Sequence, residues 1–389
     1  MLRGRVSSSQ TTACGSPRTN ETRTHQDTEG RVVHTYAATA ASGMPAAPSA
    51  RPIVSFVVPC YNSAAYMRTC IDSLVPALDC CEAIIVNDGS TDATLAIARE
   101  YETAYPDSIR VIDQENAGWG GGINNGLACA RGMYFKVVDS DDWLDVPAFN
   151  RVLDVLKAHA TPETAFDLVF SNFVYDHVTD GTKHAIRYDG LMPQDRPFGW
   201  EEFGKPRIDQ YIMVHATWYR TDLLRESGVT LPTNVCYMDG YLMLHPLPLV
   251  KRLYYVNADV YHYLIGREDQ SIGIETVKKR IDQQLLATRL CIGDHDFNRL
   301  KQQDPPMAEL YARYVSAMMS VSTIHLFMIG TPEAIAKNRE LWTYMKRTNP
   351  ALHARVARSL AGFANRRTAL FRKAAVAVFS YAQRKYKFA

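Results

Sequence analysis

The chain has no apolar run approaching the length of a membrane-spanning helix, and its first residues carry no apolar signal-peptide core. Its eight cysteines (Cys14, Cys60, Cys70, Cys80, Cys81, Cys129, Cys236 and Cys291) include no CxxC pair, which argues against the usual zinc spacings. Several sit in apolar patterns, where a thiol packs as a small hydrophobe, and a reducing compartment is expected. Strong net charge is also missing: a formal +2 over 389 residues gives no general reason to expect nucleic acid as a partner. Acidic residues are absent beyond Glu340, and that local absence matters below. What is present is 47% apolar and 22% charged residues, the balance of a globular protein with a sizeable core.

Residues 1–50 are rich in Ser, Thr, Arg, Gly and Ala without apolar periodicity, and are expected to form a disordered extension, with Met44 as an alternative start. Order is expected from Pro52. A strand-like run, Ile53 to Val58, ends at Pro59 and is followed by Cys60-Tyr61-Asn62-Ser63 and a helical pattern closed by Pro76. Ala83 to Val86 reads as a second strand running into Asn87-Asp88-Gly89-Ser90. A helix from Ala93 to Tyr105 and a third strand, Ile109 to Ile112, come next. This alternation predicts a mostly parallel, Rossmann-like sheet with helices on both faces.

The stretch from Asn116 to Asp145 organises the rest. A glycine-rich turn (Gly118, Gly120, Gly121, Gly122) leads to a short helical run and an apolar strand, Tyr134 to Val138. That strand discharges into Asp139-Ser140-Asp141-Asp142. Ligands of open α/β sheets gather beyond strand C-termini. Three crowded carboxylates repel one another, and a hard divalent cation relieves this. A solvated turn with a helix N-cap is the alternative reading.

In order and spacing, VVPCYN, IIVNDGSTD, NAG…NNGL…ARGMYF and VVDSDDW closely resemble the family 2 glycosyltransferases with the GT-A fold, from about Pro52 to Ser271. The resemblance implies a nucleotide-sugar donor, commonly a UDP-sugar, contacted by Pro59, Tyr61, Asn62, Asp88, Gly118, Asn124, Asp139 and Arg267. Tyr61 would lie against the base and Asp88 would hydrogen-bond its edge. Asp139-Ser140-Asp141 matches the DxD motif: Asp141 with Asp142 would hold Mg²⁺ or Mn²⁺, and Asp139 would touch the ribose or a metal-bound water. Asp239 occupies the place of the catalytic base, although Met238 replaces the Glu that commonly precedes it. Gly122-Ile123-Asn124 departs from the family's Ala-Arg-Asn pattern, which leaves Arg267 as the candidate cation for the diphosphate. His262 is expected to be a packed strand residue. Trp143, Trp200 and Trp218 could serve an acceptor sugar but are better explained as core. The absence of QxxRW argues against a processive synthase.

The resemblance implies a GT-A catalytic domain over 51–275, and the residue pattern beyond it reads as a helical, basic amphipathic region over 276–389. The expected activity is metal-dependent, inverting transfer to a glycan or lipid-linked acceptor in exopolysaccharide or cell-wall synthesis. The basic tail could meet an anionic membrane surface, placing the protein in the cytoplasm or on the inner face of the plasma membrane. A homodimer through the helices is a further expectation. A nucleotidyltransferase on a related fold and a catalytically silent nucleotide-sugar-binding module are the competing readings. Residues 179–206 read as loop, and the acceptor is expected between Thr179 and Trp218.

Overall fold

The computed structural model describes residues 22–26, 32–36, 51–178, 180–207, 209–266, 274–365, 371–374, 376–377 and 379. Residues 1–49 and 50–389 form separate compact units. In the first, β1 (Thr22–Gln26) pairs antiparallel with β2 (Val32–Tyr36), Thr22 opposite Tyr36. This corrects the expectation of a stretch without regular structure for these ten residues. Thr22 and Thr24 in the first run and Val32, Val33, Thr35 and Tyr36 in the second are residue types that suit a pleated strand.

The second unit is built on a nine-stranded sheet of β3 (Val54–Cys60), β4 (Glu82–Asp88), β5 (Ile109–Gln114), β6 (Tyr134–Val137), β7 (Trp143–Leu144), β8 (Leu168–His177), β9 (Lys183–Ile186), β10 (Thr217–Arg220) and β11 (Leu253–Ile265). The order is β5-β4-β3-β6-β10-β8-β11-β7, with β9 added to β8. The first four strands are parallel, as the βα alternation predicts. β3 and β4 are buried throughout, matching their unbroken apolar runs. β10 runs antiparallel to both β6 and β8, while β8 and β11 are parallel. β9 lies in the segment expected to be loop; it gains its regular structure by antiparallel pairing with β8.

The connections are α1 (Met67–Leu74), α2 (Thr94–Ala104), α3 (Gly118–Cys129) and α4 (Val146–Ala158). The glycines expected in a turn before α3 are inside it. A Cβ on Gly126 would lie 2.4 Å from Val57 Cγ1, so the glycine is what lets the helix settle onto β3. Pro59 does not end β3, which continues to Cys60. Val57 O accepts from Val138 N, and Pro59, two residues on, faces the same side where β6 has ended. Its missing N–H therefore costs no ladder hydrogen bond.

After β10 come α5 (Thr221–Ser227) and α6 (Asp239–Leu244), and after β11 the helices α7 (Ile274–Lys279), α8 (Ile281–Gly293), α9 (Phe297–Gln303), α10 (Pro305–Ile329), α11 (Pro332–Thr348), α12 (Pro350–Val356) and α13 (Leu360–Ala364). α10 is the long central helix of this group, and it also touches α6. A Cβ on Gly240 would lie 2.6 Å from the Tyr314 ring. The first part of the basic region folds back on this group: Leu352, Val356 and Ala361 are buried, and Arg355 pairs with Glu309 of α10. No described helix is long and apolar enough to cross a membrane.

One charged clasp joins α6 to the helices behind it. His245 Nδ1 lies 2.7 Å from Asp294 Oδ1 and Nε2 lies 2.9 Å from the Ser227 carbonyl. Two acceptors on one imidazole favour the doubly protonated ring. The Asp294 hydrogen bond accordingly raises the His245 pKa above its ordinary 6.5, against the opposing effect of burial. A raised folded-state pKa gives stability that is complete below the unfolded value near 6.5 and is lost as pH rises through the folded one. The wild type should therefore lose stability relative to His245→Gln across that upward window. Urea midpoints of the two proteins measured from pH 5 to 9 check this; parallel profiles would remove the clasp's charge from the account.

Candidate active site

The C-terminal ends of β3, β4 and β6 open on the same edge of the sheet, and between β3 and β6 the strand order reverses direction. Such a switch point leaves a crevice beyond the strands. The residues of three separate segments meet there through the start of α3. The Ala117 N–H donates to Asp88 Oδ1 at 2.7 Å, and Gln114 Nε2 donates to the same oxygen at 2.7 Å. Trp119 Nε1 donates to Asp139 Oδ1 at 2.8 Å. The Asn234 N–H donates to the Ala117 carbonyl at 2.7 Å, which brings in the segment leading to Asp239. Gly118 makes this crossing practicable. Its φ is +73°, and a Cβ there would sit 3.0 Å from the Asn234 backbone.

At the end of β3, Tyr61 is exposed, with its ring uncommitted to the core. Asn62 adopts a left-handed φ of 49°. Its Oδ1 accepts from the Thr91 N–H at 2.8 Å, so it fastens the turn after β3 to the turn after β4. Asn87 donates to Asp113 Oδ1 at 2.7 Å. An Asp at this position would instead oppose that carboxylate. Asn124, expected at the donor, spends its amide on Leu231: Nδ2 donates to the Leu231 carbonyl at 2.8 Å, and Oδ1 accepts from its N–H at 2.9 Å. The structure thus gives Asn124 a positioning task. Arg267 lies outside the described residues.

The acidic cluster is anchored unequally. Asp142 is fully buried, and its oxygens accept from the Tyr261 hydroxyl at 2.6 Å and the Leu264 N–H at 2.9 Å. Burial, then the neighbouring Asp141 and Asp139 charges, push its pKa well up. Asp139 is half-buried and faces His215, whose Nε2 is 3.8 Å from Asp139 Oδ2. Ligand atoms of Asp139, Asp142 and His215 all lie within 4.8 Å of one another. A cation with bonds of about 2.1 Å holds opposite ligands about 4.2 Å apart, so a small contraction would close this set. Each hydrogen-bonded carboxylate oxygen keeps a second lone pair, and a divalent charge would relieve what raises the Asp142 pKa. These residues therefore fit a divalent metal. Asp141 is not part of this three-residue set; it stands half-buried in the turn beside it.

Asp239 is the first residue of α6, half-buried, with its pKa raised by burial and by Asp139 and pulled down by His215. Tyr237 just before it holds a left-handed φ of 66°, a strained conformation of the kind that concentrates at functional sites. Of the candidate aromatics, Trp200 and Trp218 are buried core. Trp143 stacks on His262, which also hydrogen-bonds Asp176, so His262 is packed as expected.

Two functional neighbours escape the sequence reading. Lys136, taken within an apolar strand, is fully buried and donates to the carbonyls of Val214 (3.2 Å), His215 and Thr217 (3.3 Å). Its ammonium lies 4.9 Å from the centres of both the Trp218 and Tyr261 rings. Burial drives its pKa down, with Asp139 and Asp142 opposing. A charged residue in a buried strand was the available signal, since it must find partners. His215 had no local signal, because its partners come from β6, β11 and α6.

Residues 55–225 match the family model described as glycosyl transferase family 2. The putative glycosyltransferase EpsH of Bacillus subtilis is 40% identical over 248 residues, which cover 62% of this chain and 67% of EpsH. Chondroitin synthase of Escherichia coli is 38% identical over 229 residues, 57% of this chain but 30% of that protein. The chain thus spans about a third of the length of that larger relative. Among solved structures, S. aureus TarS 1-349 in complex with UDP-GlcNAc aligns with a TM-score of 0.61 at 18% identity, covering 86% of this chain and 92% of that one.

Proposed function

The chain belongs to glycosyl transferase family 2 and is a glycosyltransferase of the GT-A fold, and from that premise we propose that it moves one sugar from a UDP-sugar to a glycan or lipid-linked acceptor with inversion at the anomeric carbon. The observation that carries this reading is that the start of α3 holds Asp88 and Asp139 at the sheet's switch point and bonds Asn234, on the segment leading to Asp239, whose carboxyl feels the Asp139 charge. Asp88, fixed by two donors on Oδ1, presents a carboxylate to a base edge, and exposed Tyr61 offers a face to the base. An imide N–H suits that carboxylate, which favours uracil.

Carboxylates of the Asp139–Asp142 cluster would hold the divalent cation, which supplies charge neutralisation for the departing diphosphate. Asp239 takes the acceptor hydroxyl proton as that oxygen forms its bond to the anomeric carbon. The bond from that carbon to the diphosphate oxygen breaks, and the nucleoside diphosphate leaves with the electron pair. The raised pKa of Asp239 strengthens it as a base. Glycan assembly is in keeping with relatives named as a chondroitin synthase and a poly(ribitol-phosphate) beta-glucosyltransferase. We place the acceptor on the side of β8 to β10, beside the segments that join those strands.

Calorimetric titration of UDP tests the reading. UDP should bind with Mn²⁺ present and lose that binding in EDTA. Binding of GDP or dTDP in place of UDP would overturn the choice of donor, and binding of none of the three would overturn the proposed site.

A further inference from the structure

His215 is 4% exposed, and its Nδ1 has no hydrogen-bond partner among the described residues. Its Nε2, 3.8 Å from Asp139 Oδ2, is too distant for a hydrogen bond. Nε2, facing Asp139 with no hydrogen bond of its own among the described residues, is therefore the ring nitrogen open to a ligand from the crevice. The ring is nevertheless held firmly in this orientation. It packs between Tyr261 and Tyr263, with centroids 4.6 Å away in both cases, and tilts against Phe173. Its backbone is gripped by Lys136, whose ammonium binds the carbonyls on either side of it and its own. Among the described residues, Asp139 and Asp142 place carboxylate oxygens within 4.8 Å of its ligating nitrogen and of each other.

We propose that His215 Nε2 is a direct ligand of the divalent cation, making the centre a mixed nitrogen–oxygen site that selects Mn²⁺ over Mg²⁺. The inference rests on the metal-dependent reading above and deepens it. Mg²⁺ binds oxygen ligands and sheds water reluctantly, whereas imidazole is a better partner for transition metals. An all-carboxylate centre would have no reason to exclude Mg²⁺. One with a fixed, buried imidazole does. Lys136 then acts as a positioning residue: it sets the Val214–Ala216 turn so that the ring faces Asp139.

Pulsed electron paramagnetic resonance of Mn²⁺ bound to the wild-type protein with UDP tests this without any substitution. A ¹⁴N coupling from a ligated imidazole is expected, and it should vanish in His215→Gln. Mn²⁺ affinity, followed by the signal of the free ion, should fall at least about 10-fold in His215→Gln. Mg²⁺ should compete poorly in the wild type and better in the variant. Lys136→Met should weaken the ¹⁴N coupling. Mn²⁺ bound tightly with no nitrogen coupling would overturn the ligand assignment and leave the metal-dependent transferase standing. Failure of the wild type to bind Mn²⁺ with UDP would overturn both.

Discussion

Asp239→Asn should lower the transfer rate by about 10²–10⁴-fold while UDP affinity in Mn²⁺ stays within a few-fold of the wild type. The substitution keeps the size and most hydrogen-bonding capacity of the side chain but cannot take a proton. Asp239 opens α6, and Gly240 behind it is pressed against Tyr314 of α10, so the backbone around the base is buttressed from the helical region. The donor-side groups, Asp88 and Asp139, reach this point through α3 and do not depend on the Asp239 side chain. Loss should therefore appear in kcat and not in nucleotide binding. Single-turnover rates with a radiolabelled sugar donor, alongside UDP titration, separate the two. Transfer by Asp239→Asn at the wild-type rate would end its assignment as base.

Trp218→Ala should destabilise the protein by about 3–5 kcal/mol, the range for removing a buried large aromatic. Trp218 is wholly buried in β10. It stacks on Phe149 of α4 with ring centres 5.7 Å apart and planes at 5°, meets the edge of Phe56 in β3, and donates its indole N–H to Ser171 Oγ at 2.9 Å. It also covers the Lys136 ammonium. Truncation would leave a cavity, a lone serine hydroxyl and a less shielded buried charge together. The urea midpoint reports this directly. A midpoint close to the wild type, with a raised acceptor KM, would instead make Trp218 a sugar platform.

The parallel half of the sheet was legible because each strand is a short apolar run ending in turn chemistry, and each helix carries its own period. Strands ending in acidic turns also pointed to Asp88 and the Asp139 cluster, which the start of α3 joins, whereas Asp239 was read from the family resemblance alone. Features set by distant partners were not legible. Asn124 stands among glycines beside a helix start and reads as a ligand-binding residue, yet its amide is committed to Leu231, 107 residues on. The glycines of α3 read as a turn because glycine disfavours helix; the deciding contact is with Val57, which no local pattern shows. β9 and the reversal at β10 depend on pairing with β8 and β6, and short antiparallel additions of this kind carry little sequence signal.

β10, four residues long and antiparallel to both neighbours, joins the parallel strands that carry the donor groups to the β8–β11 pair on the other side. It acts as a seam between two halves with separate duties. Residues 54–139 can keep one nucleotide-handling surface while the segments hung on β8 and β11 change length and chemistry. The seam itself has little such freedom, because Trp218 and the turn carrying His215 are fastened to both sides at once. New acceptor specificities in a scaffold of this kind would be expected to arise beyond the seam, leaving β10 and the buried lysine of neighbouring β6 as the fixed part.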